Sequence, residues 1–399
     1  MPVQLPLSLA AFDLSPGRGF LPATDPLDQL PEEPIINQIG MELPKFLTAR
    51  QFRRCIQDRS EIMGAVADDW GLDVFRSAMR TFSFAGHAYV WEDPDHPADR
   101  LPASIAVPWH RIAQQLGRPP VLSYASYALH NWRRLDVHKP IELGNIVLLQ
   151  NFLGGLDEEW FVLIHIDIEA KAGPGLEGLV HALNAARVDD AEAVLAGLHA
   201  LASAQEAMRE TLLRMPERCD PYIYYTRVRP YIHGWKNSPA LPQGVTYEGV
   251  ADYAERPQQF RGETGSQSSI VPALDAGLGV LHADDPLTQY LVEMRDYMPP
   301  RHRAFVSALE ACVDERQRPL LAGYARDRKT TNPRLWNAFC ACVDLLAQFR
   351  DIHVGYAERY IFRQHQSHAS NPTSVGTGGT PFMPYLNKHL EETQRLIQD

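Results

Sequence analysis

NPRLWNAFCACVDLLAQFRDIHVGYAERYIF, residues 332–362, carries the clearest long helical pattern in the chain. Asn332 is a favoured N-cap residue, and Pro333 suits the first helical position, where its missing N–H costs nothing. Phe339, Val343, Leu346, Phe349, His353, Tyr356 and Tyr360 follow at spacings of four and three, so His353 projects from the apolar face. An imidazole there needs a partner. One reading is a core histidine whose ring nitrogens find backbone or side-chain groups. The other is a neutral imidazole ligand to a metal or haem iron. No HExxH or paired CxxC spacing accompanies it, which argues against zinc at this residue. Cys340 and Cys342 face different sides of the helix and read as packing residues.

Working outward, Leu176–Ala186, Asp190–Met215, Leu287–Asp296 and His302–Val313 repeat the helical spacing. So does the region from Thr48 to about Gly86, and Leu101–Leu135 is helical with a stop at Pro119-Pro120. Residues 1–45 hold eight prolines, which suits an extended arm over a body better than a helix interior. NFLGGLDEE at 151–159 reads as a loop and divides the chain into a small N-terminal domain, 1–155, and a larger domain, 156–399. Trp160–Glu169, WFVLIHIDIE, is ambiguous. Period two places His165, Asp167 and Glu169 on one strand face, as in a carboxylate–histidine metal cluster, whereas helical period aligns Phe161, His165 and Glu169. Arg363–Val375 reads as a mobile loop feeding a tight turn at Gly376–Thr380.

Composition narrows the partners. The chain has 399 residues, 45% of them hydrophobic, enough for a large core. Its 38 basic and 49 acidic residues leave a formal charge of -11. No run of four Lys/Arg occurs, so nucleic acid and anionic membranes are poor partners, and a small uncharged or zwitterionic ligand fits better. Five scattered cysteines do not form a disulfide framework and suggest a reducing, cytoplasmic setting. The first thirty residues lack the pattern of a secretory leader, and no apolar stretch is long enough to span a bilayer.

Two further segments can carry chemistry. Gly376–Thr380, GTGGT, lacks the endings of nucleotide-binding loops, yet its backbone N–H groups and threonine hydroxyls suit a small polar ligand. Tyr222–Trp235 interleaves aromatics with Arg227 and Arg229. That combination either stacks an aromatic ligand and pairs its carboxylate, or is an aromatic helix face with solvated arginines.

From about Leu101 onward the chain resembles the indoleamine 2,3-dioxygenase family. The carrying motifs are Gly265-Ser266-Gln267-Ser268-Ser269 followed by LDAGLGVLH, YMPPRHRAF at Tyr297–Phe305, FRDIH at Phe349–His353, and GTGGT. LPASIAVPW at Leu101–Trp109 and RPYIHGWKNSP at Arg229–Pro239 extend it. The resemblance implies an all-α fold in which a large helical domain holds haem b under a smaller N-terminal domain, and it makes Trp160–Glu169 helical. It also implies that His353 is the proximal iron ligand, with Arg350, Asp275 and Ser266 on the cofactor. On the distal side it implies Arg229 for the substrate carboxylate, Thr377 and Gly265 near the amino-acid end, and Tyr124 and Phe161 along the indole pocket.

The chain departs from the animal enzymes of the family at Tyr224 and Tyr225, where they carry phenylalanines, and at His165, where they carry a small hydroxyl residue. A distal histidine resembles the related tryptophan 2,3-dioxygenases, where it faces the indole N–H. The implied reaction inserts both atoms of O₂ across the indole C2–C3 bond of L-tryptophan or a related indoleamine, in a monomer, giving N-formylkynurenine. Two alternatives stay open at this point: an oxygenase for a modified tryptophan in a biosynthetic pathway, and a haem protein that binds a gas without turnover.

Overall fold

Helix signals dominate the chain because apolar residues recur at three and four, and two of the longest helices are capped by the side chains of Asp190 and Asn332. The computed structural model describes residues 6–398, except 32, 58, 60, 61, 63, 65, 284 and 285. Twelve α-helices of five residues or more occur among the described residues. The first six are α1 (Pro34–Thr48), α2 (Phe52–Ile56), α3 (Leu72–Trp91), α4 (Ala103–Leu116), α5 (Leu156–Arg187) and α6 (Ala191–Leu213). The others are α7 (Ile270–Leu278), α8 (Pro286–Met294), α9 (Pro300–Glu310), α10 (Leu320–Asp327), α11 (Pro333–Ala357) and α12 (Phe382–Gln398). Among the described residues β-structure amounts to isolated bridges and two short strand pairs, Arg100–Leu101 parallel to Thr246–Tyr247 and Trp132–Arg134 antiparallel to Ile146–Leu148. The fold is all-α.

Helix α11 starts where its cap requires, with Asn332 Oδ1 accepting from the Leu335 N–H at 3.2 Å. It ends in a π-helical turn, Glu358–Phe362. Helix α5 begins at Leu156, three residues before the loop expected to run through Glu159 would end. The acidic first turn Asp157-Glu158-Glu159 explains the early start, since negative charge is favourable at a helix N-terminus. The buried Glu158 carboxylate also accepts from the N–H groups of Phe152, Leu153 and Gly154 at 2.6, 3.1 and 2.7 Å, tying the loop to that turn.

Helices α5, α6 and α11 pack as the centre of the body. Gly178 and Gly197 let α5 and α6 touch: a Cβ on Gly197 would lie 2.5 Å from Gly178 O, and one on Gly178 would lie 2.7 Å from Gly197 O. Across to α11, Gln205 Nε2 donates to Cys342 O at 3.0 Å and Cys342 Sγ donates to Leu198 O at 3.2 Å. All five cysteines are free, and Cys342 is buried as its packing role requires. The first part of the proline-rich arm lies along α5, where Leu7 exchanges two hydrogen bonds of 2.9 Å with Asn184 and Phe20 and Leu21 are buried. Its end is not extended as expected: residues 34–45 belong to α1, which Pro34 starts at the first helical position and which holds Pro44 inside it. Among the described residues no helix is long and apolar enough to cross a membrane.

Candidate active site

Because α5 is a helix through Trp160–Glu169, the strand alternative and its metal cluster fall away. Asp167 turns from His165 and accepts from Thr211 Oγ1 at 2.6 Å, while Phe161, His165 and Glu169 share a face. The Phe161 and His165 rings lie 4.7 Å apart, and Tyr124 meets His165 at 6.0 Å. The Nδ1 of His165 donates to Phe161 O at 2.7 Å, which leaves Nε2 as the acceptor nitrogen. Burial lowers the pKa of this imidazole and keeps it neutral.

This face opens on a cavity of about 550 Å³, within the range of small-molecule and cofactor sites. Its walls include Tyr124, His165, Gly265, Ser266, Asp275, Arg350 and His353. The two histidines come from different helices, α5 and α11. His353 is accessible through the cavity and has no side-chain hydrogen bond among the described residues. Desolvation inside the cavity, reinforced by the nearby Arg350 charge, pushes its pKa down to about 4, so at neutral pH it presents an unprotonated nitrogen. The core-histidine reading required partners that the described residues do not supply.

Residues from α7, α11 and α12 make the cavity polar at one part of its wall. Arg350 Nη2 donates to Asp275 Oδ2 at 2.6 Å, and Arg350 Nη1 donates to Thr393 Oγ1. Burial alone would raise the Asp275 pKa, but Arg350 and His282 hold it at about 2. Apolar side chains such as Ile168, Leu212, Ile270, Val271, Leu291 and Phe349 line much of the rest. An apolar chamber with an unpartnered neutral imidazole and, at one part of its wall, the hydrogen-bonding Arg350–Asp275 pair fits a haem, whose face is apolar and whose propionates are polar.

Sequence reasoning set Glu169 in step with His165 and gave it no role of its own. It is fully buried, accepts from Tyr124 Oη at 2.8 Å and Ser268 Oγ at 3.0 Å, and leaves Oε2 without a partner. Burial raises its pKa to about 7 despite those two donors. The signal was the four-residue step from His165 on one helix face. His282 and His389, also on the cavity wall, come from parts of the chain more than a hundred residues apart and carried no joint signal.

The remaining expected residues lie beside the cavity rather than on its wall. Phe161 packs on Tyr224 with centroids 4.7 Å apart, and Tyr225 Oη donates to Asn371 O at 2.5 Å. Tyr224 and Tyr225 belong to a π-helical turn, Tyr224–Val228, and another, Ala125–Leu129, directly follows Tyr124. Such turns recur at functional sites because they re-aim side chains. Arg227 is solvated, as one reading of this segment had it. Arg229 is fully buried; it donates to Pro372 O at 2.9 Å, Val375 O at 2.5 Å and the Asn371 side-chain oxygen. It has no carboxylate partner among the described residues. The expected free loop at Arg363–Val375 is therefore anchored, with Ser370 and Asn371 buried. Beyond it GTGGT forms the expected tight turn, in which Gly376 N donates to Thr380 O at 2.8 Å and Thr377 Oγ1 donates to Glu263 O.

A family model described as indoleamine 2,3-dioxygenase matches residues 8–396. The chain belongs to the indoleamine 2,3-dioxygenase family. The match begins near the start of the arm, far earlier than the Leu101 at which the motifs become legible. Human indoleamine 2,3-dioxygenase 2 is 31% identical over 98% of this chain and 96% of its own length. The indoleamine 2,3-dioxygenase of Saccharomyces cerevisiae is 31% identical over 96% of this chain and 92% of its own. A protein of Haliotis madaka named myoglobin is 28% identical over 98% and 99%. Indoleamine 2,3-dioxygenases are haem-dependent oxidoreductases acting on tryptophan and indoleamines, and this chain is an enzyme of that class.

Proposed function

We propose that this chain, loaded with haem b, inserts both atoms of O₂ across the C2–C3 bond of L-tryptophan or a closely related indoleamine, giving N-formylkynurenine or its analogue. The observation that carries the reading is His353, a neutral, unpartnered imidazole on the wall of a large apolar cavity that His165 also lines. When bound, haem would supply the oxygen chemistry, and the protein the orientation. His353 would hold the iron, and Arg350, Asp275 and Ser266 would meet the cofactor's edge. The free thiols suit a reducing cytoplasm, and the acidic chain would act as a monomer.

His165 would accept the indole N–H at Nε2, since its Nδ1 proton is committed to Phe161 O. That contact favours an unsubstituted indole nitrogen. Tyr124 and Phe161 would line the indole pocket, and Tyr224 and Tyr225 would add hydroxyl-bearing walls behind it. Arg229 would take the substrate carboxylate. Its present partners are neutral oxygens, and exchanging them for a carboxylate gives charge-assisted bonds to a buried guanidinium that has no anion. That exchange requires the 371–375 segment to shift, with Gly265 and Thr377 then closing on the amino-acid end.

The deciding experiment is turnover of L-tryptophan under ¹⁸O₂ by the haem-loaded, chemically reduced protein, with the product identified by mass. Gain of two labelled oxygens supports the reading. O₂ uptake with tryptophan left intact would overturn tryptophan as the substrate and turn the search to a modified tryptophan.

A further inference from the structure

Where the cavity wall meets α12, His282, His389 and Glu392 bring one potential ligand atom each within 4.8 Å of one another. His389 and Glu392 stand three apart on α12 and so share a face, and His282 comes from the segment after α7. His282 Nε2 lies 3.2 Å from Asp275 Oδ2, and its Nδ1 lies 2.6 Å from Glu392 Oε2. Glu392 Oε1 accepts from the Ala283 N–H at 3.3 Å, which fixes the carboxylate. His389 Nε2 is buried and has no hydrogen-bond partner. Both imidazoles line the cavity.

We infer that His282, His389 and Glu392 form a site for a borderline divalent cation such as Zn²⁺, separate from His353. Two imidazoles and one carboxylate are a common protein ligand set for zinc, with the fourth position left to water or another ligand. Asp275 supplies the outer contact such sites use: accepting from His282 Nε2–H, it points Nδ1 inward as the ligating nitrogen. Without an ion, Nδ1 must carry a proton to face Glu392. Zinc would replace that proton, which leaves to solvent, and would take Glu392 Oε2 in place of the hydrogen bond. Tetrahedral bonds of about 2.0–2.1 Å need ligand atoms roughly 3.4 Å apart, so the His282 Nδ1–Glu392 Oε2 pair, now at 2.6 Å, would open by roughly 0.8 Å while His389 closes by up to about 1.4 Å. Arg350 does not oppose the ion with a free charge, because Asp275 pairs it at 2.6 Å, and Lys388 sits 3.6 Å from the far oxygen of Glu392. The ion would tie α12 to the segment after α7.

The test is the zinc content of the protein, with and without haem, after dialysis against micromolar Zn²⁺ and then metal-free buffer. One zinc per chain is expected in both forms, with zinc affinity at least tenfold weaker in His389→Ala and Glu392→Gln and unchanged in His353→Ala. Glu392→Gln keeps the side-chain shape, so its loss of zinc with an unchanged circular dichroism spectrum separates ligation from folding. No zinc retained by the unmodified chain, or zinc lost with His353→Ala and kept by His389→Ala, overturns the assignment. The readout is zinc and not turnover, so failure of the dioxygenase reading leaves it standing.

Discussion

Arg350 and Asp275 form a buried ion pair, Nη2 to Oδ2 at 2.6 Å, one helical turn before His353. The pair joins α11 to α7 beside the imidazole that the cavity leaves unpartnered. Removing one member of such a pair strands the other charge, which costs about 3–5 kcal/mol. Arg350→Met should therefore lower the urea midpoint of the haem-free protein, and Asp275→Asn should do so by a comparable amount. If the double variant were no more stable than the sum of the singles predicts, the pair would not be coupled.

His353→Ala should abolish stoichiometric haem retention or change the ferrous absorption spectrum, while the fold persists by circular dichroism. The side chain makes no hydrogen bond among the described residues, so its loss removes a ligand and little packing. An unaltered spectrum at full haem loading would assign the iron to another residue.

For Arg229→Ala, kcat/KM for L-tryptophan should fall by about 10- to 150-fold, the equivalent of one charged hydrogen bond at about 1.5–3 kcal/mol. A positioning contact acts in ground and transition states alike, so KM should rise and kcat fall. Indole, which has no carboxylate, should be far less sensitive. Equal losses for both substrates would confine Arg229 to anchoring the 371–375 segment.

Glu169 gives a pH dependence of defined sign. Its pKa is raised from 4.5 to about 7 by burial, so the folded chain holds a proton that the unfolded chain releases. The contribution is fully present below about 4.5 and is lost as pH rises through 7, on the order of 3 kcal/mol in all. Glu169→Gln should remove that loss, flattening the stability profile across this window. A variant profile parallel to that of the parent chain would mean that Glu169 is ionised throughout.

Gly197→Ala should destabilise the protein by about 1–3 kcal/mol, because its methyl would sit 2.5 Å from Gly178 O on the facing helix. The obstacle is backbone, which cannot swing aside. Chemical denaturation with an unchanged m-value would show the loss directly.

The helical reading around His353 was legible because it is local. A cap, a proline at the first position and a stripe at three and four decide one helix whatever surrounds it, and the structure keeps all three at Asn332–Ala357. Trp160–Glu169 was not legible from pattern alone, since a segment apolar on nearly all sides satisfies both periods. As a helix it meets neighbours on several sides, Thr211 of α6 through Asp167, Tyr124 through Glu169 and Tyr224 through Phe161, and these contacts no local pattern foretells. The loop at 151–159 was read too long because Glu158 looks like a solvated acid in sequence and proves to be the buried acceptor of three backbone N–H groups.

By itself the sequence determined the all-α class, the acidic charge, the absence of a disulfide framework and the ordered motifs that mark the family. It also placed His353 on an apolar face and His165 in step with Phe161 and Glu169. Tertiary structure alone decided which of these side chains share the cavity wall and which stand behind it. It set Arg229 among the oxygens of residues 371–375, buried Glu169 under Tyr124, and brought His282 to His389 and Glu392 across more than a hundred residues. Spacing along one helix is fixed by 3.6 residues per turn, whereas the approach of two helices depends on packing that no local pattern encodes.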